Sequence, residues 1–489
     1  MISIPDASHD QTMHDDETDL RLLIDGEWIE PGHRKTTPVI NPATGAAIGI
    51  LPLVDACDLD RALDAASRAF KTWRHSSVED RARVLRGAAT LLRERAPLIA
   101  RHATLEQGKP LAESTGEVMS SANLLDYYAE ECRRSFGRVL VRPQGRRSIV
   151  TKEPVGPVAS FAPWNFPLHN PARKLAPAVA AGCTVVMKPA EEAPASALHV
   201  ARALVDAGLP RGVVQIVFGV PDAVSRHLLA SPVLRKVSFT GSTAVGKQLM
   251  RLAVDQSLRT TMELGGHAPV IVFDDAEIEA VATQLARTKY RNAGQICISP
   301  TRFYVQRGAY ERFVERFVRH AATITVGNGL DAGVQMGPLA HVRRPDFIDA
   351  LVADARSCGA ELLLGGQRPD SKGFHYLPTV LAQVPDSARA MNEEPFGPVA
   401  LMAPFDELDE VIARANSLPY GLAAYAFTRN SRTAMRIGAA FESGMVGINT
   451  TSIAAADAPF IGVKHSGHGA EDGPEGLESY LVTKAIHEE

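Results

Sequence analysis

Apolar residues recur three and four positions apart through 55–74 and 77–103, as in LDRALDAASRAFKTW, and this spacing predicts an amphipathic helix over each range. A longer helix is predicted over 110–135. The pattern then changes. VLVRPQGRRSIVTKEPVG at 139–156 reads as a two-stranded ribbon turned by Pro and Gly. From 156 onward short apolar runs alternate with helical stretches. Strands are predicted over 157–163, 184–189, 213–218 and 236–240. Helices are predicted over 168–181, 194–207 and 222–230, with one more after Gly241. The first two close on Gly182 and Gly208. Gly-terminated helices between β-branched runs indicate βαβ units, a parallel sheet and an α/β fold class. Ligands of such sheets sit at the carboxyl ends of the strands. The residues there are Trp164–Asn165, Lys188–Glu191, Phe218–Gly219 and Thr240–Ser242. A second α/β region spans 263–469, with strands at 269–274 and 302–306 and then in ELLLGG, TVLAQV and GMVGIN. LVTKAIHEE at 481–489 reads as a terminal edge strand, of the kind that pairs with another chain.

Composition narrows the function classes. The 489 residues are 45% hydrophobic and 22% charged, an ordinary globular balance that leaves no room for global disorder. A net charge of −4 gives no basic field for nucleic acid. There is no apolar run long enough to span a membrane. Residues 1–20 carry six acidic side chains and no basic one, so they read as a disordered or loosely docked tail rather than a signal peptide. The five cysteines Cys57, Cys132, Cys183, Cys297 and Cys358 are widely spaced, without a CxxC pair. That argues against a disulfide framework and a zinc site, and for a cytoplasmic protein.

Six segments could carry chemistry, and most have an ordinary structural reading beside the functional one. FTGSTAVGK at 239–247 joins strand to helix through glycines, where free N–H groups accept phosphate, or it is a plain turn. Glu191 in KPAE can hold two ribose hydroxyls and would repel a 2′-phosphate, or it is a helix N-terminal charge. Glu263 and Cys297 lie 34 residues apart in ELGG and NAGQIC. A lone Cys is usually inert, yet Cys297 follows a small-residue turn at Gly294. Asn165 is held between prolines in PWNFP, which suits an oxyanion donor or a capped turn. Glu393-Glu-Pro-Phe-Gly-Pro398 is a rigid acidic loop or a solvated one.

Taken in order, NPATG, EQGKP, PWNFP, KPAE, FTGS, MELGG, AGQIC, EEPFGP, GIN and GLESYLVTK resemble the NAD(P)-dependent aldehyde dehydrogenase superfamily along about 440 residues. The resemblance implies a Rossmann-like cofactor domain (21–131 and 151–262), a catalytic α/β domain (263–469) and a small oligomerisation ribbon (132–150 and 470–489). It implies a homodimer or homotetramer. Cys297 would be the nucleophile, Asn165 the oxyanion donor, Glu263 the base that hydrolyses the thioester, and Lys174 a proton relay. Trp164, Lys188, Glu191, Gly219, Thr240, Gly241, Ser242, Gly246, Leu264, Glu394 and Phe396 would bind the cofactor. Glu191 favours NAD over NADP. The retained Glu263 points to an acid-forming rather than an acyl-CoA-forming enzyme. The competing classes are a thiol hydrolase, which would need a His beside Cys297, and a non-catalytic binding protein.

Within the superfamily the chain most resembles the succinate-semialdehyde and α-ketoglutaric semialdehyde dehydrogenases. EQGKPLAES, MELGGHAPVIV and QICISPTRF carry that likeness. Arg173 and Arg291 stand where that branch places carboxylate-binding arginines, or else they are ion-pair residues. Residues 454–456 are Ala-Ala-Ala where a Ser contact is common in the branch. Ile461 replaces a Gly, and Ser299 stands where some members carry a second Cys. The first two departures point away from strict succinate semialdehyde use and permit a longer or bulkier ω-oxo acid.

Overall fold

The structure, a computed structural model, describes residues 20–489. The reading of 1–20 as a tail lies outside the described residues except for Leu20, which is buried. The first unit is built on an eight-stranded sheet in the order Glu27–Ile29, Leu22–Ile24, Val214–Ile216, Val185–Lys188, Val158–Phe161, Lys236–Thr240, Arg259–Glu263 and Gly467–His468. The five central strands run parallel, and both outer partners are antiparallel. Chain order runs outward in opposite directions from the pair Val158–Phe161 and Lys236–Thr240. A crevice opens where connections diverge in this way. PWNFP and Gly241–Ser242 leave the carboxyl ends of these two strands.

The helices follow the apolar spacing. Ala56–Trp73 starts on a reciprocal cap, Asp58 N–H to Asp55 at 2.9 Å and Asp55 N–H to Asp58 at 3.3 Å. The predicted helix 77–103 is two helices, Val78–Glu94 and Ala96–Gln107, broken at Arg95. Pro97 explains the break, because its ring excludes the carbonyl four residues back and it donates no N–H. His169–Ala181 ends at Gly182, whose φ of 91° a β-carbon would strain.

The second unit has a seven-stranded sheet, in the order Glu361–Leu364, Thr379–Ala382, Val399–Phe405, Pro300–Gln306, Ala268–Val272, Ala423–Phe427 and Met445–Ile448. Only its first pair is antiparallel. Each sheet carries its own apolar core. A third sheet joins Arg138–Val141, Arg147–Pro154 and Leu481–Glu488, with the last two paired residue by residue.

Two boundaries differ from the sequence expectation. The chain rejoins the first sheet at Gly467–His468, inside the 263–469 span. The span 470–489 is not all ribbon: Glu471 and Asp472 turn under the first unit, and Gly473–Glu478 packs on His169–Ala181 before the ribbon strand begins. The two carboxylates meet Arg173 and Lys174 there.

Candidate active site

The loop after Val158–Phe161 is tied down from three sides. Lys109 Nζ donates to the Asn165 carbonyl at 2.8 Å and to Glu117 at 2.6 Å. Glu117 in turn accepts the Leu168 and His169 N–H groups at 2.8 and 3.0 Å, as a carboxylate does at a helix start. Asn292 Nδ2 reaches the same Asn165 carbonyl at 2.9 Å. The Asn165 side chain is oriented as well. Its Oδ1 accepts Asn170 Nδ2 at 3.1 Å, and its Nδ2 donates to the Gln295 carbonyl at 3.1 Å. One Asn165 N–H remains for another acceptor.

Cys297 follows a tight turn in which Asn292 and Ala293 have φ of 49° and 52°. A β-carbon on Gly294 would come 2.1 Å from the Gly397 carbonyl oxygen, so only glycine fits this crossing. The thiol opens on a cavity of about 650 Å³ whose wall includes Asn165, Glu263, Gly241, Ser242, Glu394 and Phe396. Burial pushes the Cys297 thiol up to about 12, opposed by the nearby Arg173 cation and reinforced by Glu394 and Glu263. Among the described residues no histidine hydrogen-bonds to this thiol, although His169 lines the cavity. The other four cysteines are also free and lie outside the cavity wall.

Glu263 ends the Arg259–Glu263 strand and is 1% exposed, with neither carboxylate oxygen hydrogen-bonded. Burial, then the neighbouring Glu471, holds its carboxyl well above the usual range against the pull of Lys174 and Arg173. Lys174 is fully buried. It donates to Thr240 at 2.8 Å and Ser238 at 3.2 Å and pairs with Glu471, so it sits beneath the cavity rather than in its wall.

The cofactor candidates divide into two groups. Thr240, Gly241, Ser242, Leu264, Glu394, Phe396 and Trp164 share the Cys297 cavity. Ser242 caps the Thr243–Val254 helix, and a β-carbon on Gly246 would press on Leu264 at 2.4 Å. Glu394 accepts the Gly266 N–H at 3.2 Å, and burial raises its carboxyl to about 7. Phe396 meets Trp164 edge to face at 5.6 Å. Lys188, Glu191 and Gly219 form the second group, at neighbouring strand ends outside this cavity. Lys188 Nζ lies 2.6 Å from Glu191 Oε1, which also accepts the Gly219 N–H at 3.1 Å. This donor set fits a dinucleotide: free amides at a helix start, a half-buried carboxylate two strands away, and Gly265, where a β-carbon would fall 2.7 Å from Glu394 Oε2.

The two arginines part company. Arg291 lines the cavity with its side chain 56% exposed and only a 3.9 Å approach to Glu113. Arg173 also lines it but is 6% exposed and already ion-paired with Asp472, so it is not a free receptor. Sequence reasoning missed Lys109, Glu117, Arg344, Glu471 and Asp472. Lys109 lies in EQGKP, a segment whose sequence gives no sign of the role of its lysine. Arg344 donates to the Pro395 and Phe396 carbonyls and so anchors the Glu394 loop.

The sequence pattern of the aldehyde dehydrogenase family matches residues 28–486. The chain belongs to that family. It is 47% identical over 468 residues to the 4-(hydroxymethyl)benzenesulfonate dehydrogenase TsaD1 of Comamonas testosteroni, covering 95% of this chain and 97% of that one. It is 42% identical over 465 residues to GabD of Escherichia coli (strain K12), a succinate-semialdehyde dehydrogenase (NADP+), covering 95% and 96%. Its fold matches the crystal structure of succinate-semialdehyde dehydrogenase from Burkholderia pseudomallei with a TM-score of 0.94 at 40% identity, covering 96% and 98%. This aldehyde dehydrogenase is therefore an NAD(P)-linked oxidoreductase acting on small-molecule aldehydes, in the α/β fold expected from the sequence. Among the described residues, no helix is long and apolar enough to cross a membrane.

Proposed function

We propose that this aldehyde dehydrogenase oxidises an aldehyde with an anionic group at its far end to the carboxylate, and that it prefers NAD. The observation that carries the reading is the convergence of Cys297, Asn165 and Glu263 on one cavity, with Glu263 left free of any hydrogen-bond partner. Cys297 Sγ, as thiolate, adds to the aldehyde carbon. The remaining Asn165 N–H and the Cys297 backbone N–H hold the oxyanion. Thr240, Gly241, Ser242, Glu394 and Phe396 would hold the pyrophosphate and nicotinamide end of the cofactor, and Lys188 and Glu191 the adenosine end. A nicotinamide held by these residues would supply the hydride acceptor for the carbon on Sγ. The resulting thioester is attacked by water, and Glu263 takes the water proton.

The anionic end is supported by Arg291 at the cavity wall. The relatives agree, since TsaD1 is a dehydrogenase of a sulfonate and GabD of a semialdehyde that carries a carboxylate. The NAD preference rests on Glu191, whose charge opposes a 2′-phosphate. The test is Glu263→Gln under rapid mixing. The variant is expected to release a stoichiometric burst of NADH and then stall by about a hundredfold or more. A normal steady-state rate would remove Glu263 from the mechanism.

A further inference from the structure

Arg173 stands where a semialdehyde carboxylate was expected, yet it already has a carboxylate. Its Nε donates to the two Asp472 oxygens at 3.0 and 2.9 Å, and Nη2 lies 2.6 Å from Oδ2. Its face stacks on Phe460, 4.2 Å from the ring centroid. The Nε/Nη2 edge of the guanidinium, one of the two that grip a carboxylate with paired bonds, is occupied, and its charge is balanced.

Asp472 itself is unusual in three independent ways. Its backbone, at φ 55° and ψ 174°, lies in a region that glycine alone occupies without strain. It directly precedes the Gly473–Glu478 helix, but its side chain makes no cap hydrogen bond, the use an Asp there normally finds. Its carboxylate is buried and spends its contacts on a residue 299 positions away. The contact that this strained, uncapping, buried aspartate makes is the one to Arg173.

The cavity keeps one accessible cation of the expected pair, Arg291, which lies beside Phe166 at 5.9 Å. Trp164, Phe166, Ile298 and Phe460 supply apolar and aromatic wall. We propose that Asp472 is a specificity-determining residue. By holding Arg173 it turns the site away from short ω-oxo acids, whose carboxylate would need that guanidinium. It favours aldehydes whose anionic group stands beyond an apolar spacer and meets Arg291. This rests on the reading of Cys297 as the thiol that binds the aldehyde carbon.

NADH formation from succinate semialdehyde, butanal and 4-carboxybenzaldehyde tests it. The wild type is expected to use 4-carboxybenzaldehyde with a kcat/KM about tenfold or more above that for succinate semialdehyde. Asp472→Gly relieves the backbone and frees Arg173. It should raise the succinate semialdehyde to butanal ratio of kcat/KM about tenfold, chiefly through KM, as one charged hydrogen-bonded contact would. Asp472→Asn, which keeps the shape and drops the charge, should move the ratio the same way, so a Gly variant that misfolds leaves the test intact. The inference is overturned if the wild type ranks succinate semialdehyde first, a result needing no variant, or if a folded variant leaves the ratio unchanged. NADH from none of the three aldehydes would overturn the Cys297 reading and this inference with it.

Discussion

Glu471 takes the Lys174 ammonium, and Glu263, buried next to Glu471, is left with no hydrogen bond on either oxygen. A carboxyl in that position resists ionisation, because burial and a neighbouring negative charge both favour the neutral acid. The arrangement is costly for folding and useful for a base, because the same burial and neighbouring charge make the ionised carboxylate a stronger proton acceptor.

The cost has a sign that a melting experiment reads. The folded carboxyl of Glu263 is raised above its unfolded value. At low pH both states are protonated and the group is neutral for stability. As pH rises through the unfolded carboxylate range, the unfolded chain ionises first, and the folded state loses ground until the folded group also ionises. Glu263→Gln removes that loss. The variant should melt a few degrees higher than wild type at pH 8, with the gap closing toward pH 4. An equal gap at both values would mean that the folded carboxyl of Glu263 is not raised above its unfolded value.

The Cys297 thiol gives a second pH readout. Burial raises it to about 12, so below that value the thiolate fraction grows with each step in pH. Iodoacetamide labelling of Cys297 in the cofactor-free protein, followed by peptide mass spectrometry, should accelerate about tenfold per pH unit between pH 7 and 10. Arg173 is the cation that opposes the rise. Arg173→Met should slow labelling at every pH in that range. A plateau near pH 8 in the wild type would show an already activated thiol.

Local pattern made the parallel sheets legible, because buried strands read as β-branched runs between Gly-terminated helices. Asn165, Glu263 and Cys297 were legible for a different reason: each sits in a short motif of prolines or glycines whose backbone demands are visible in sequence. Asp472 was not legible. Its partner Arg173 lies 299 positions away, and the intervening chain builds the whole second sheet before returning. Lys109 and Glu117 were hidden similarly. They sit eight residues apart, at a helix entrance, but their meaning comes from the Asn165 carbonyl and the Leu168 and His169 N–H groups of another segment.

Cofactor choice should turn on Glu191. Both of its oxygens lie within 2.8 Å of Lys188 Nζ, and Oε1 also accepts the Gly219 N–H, so the carboxylate is fixed at the strand end. A 2′-phosphate brought there would face this charge. Glu191→Ser removes the repulsion and leaves Lys188 available to the phosphate. Initial rates should show kcat/KM for NADP rising about tenfold while that for NAD falls. A wild-type preference for NADP would contradict the charge argument.

The ribbon should govern assembly. The strand Arg138–Val141 and the segment just before it leave apolar side chains in water, with Val141 87% exposed, Phe136 74% and Val139 60%. The outer edges of the three-stranded sheet, on Arg138–Val141 and Leu481–Glu488, are unpaired among the described residues. Exposed apolar residues on an open strand edge are what a second copy covers. The wild type should therefore run as a dimer or tetramer in size-exclusion chromatography with light scattering. Val141→Asp places a charge in that surface, and deletion of 483–489 removes most of one edge strand while sparing the buried Tyr480 and Leu481. Each change should shift the protein to a smaller species, with the melting temperature of the remaining fold reporting that it stays intact. Unchanged mass in both would move the interface elsewhere on the molecule.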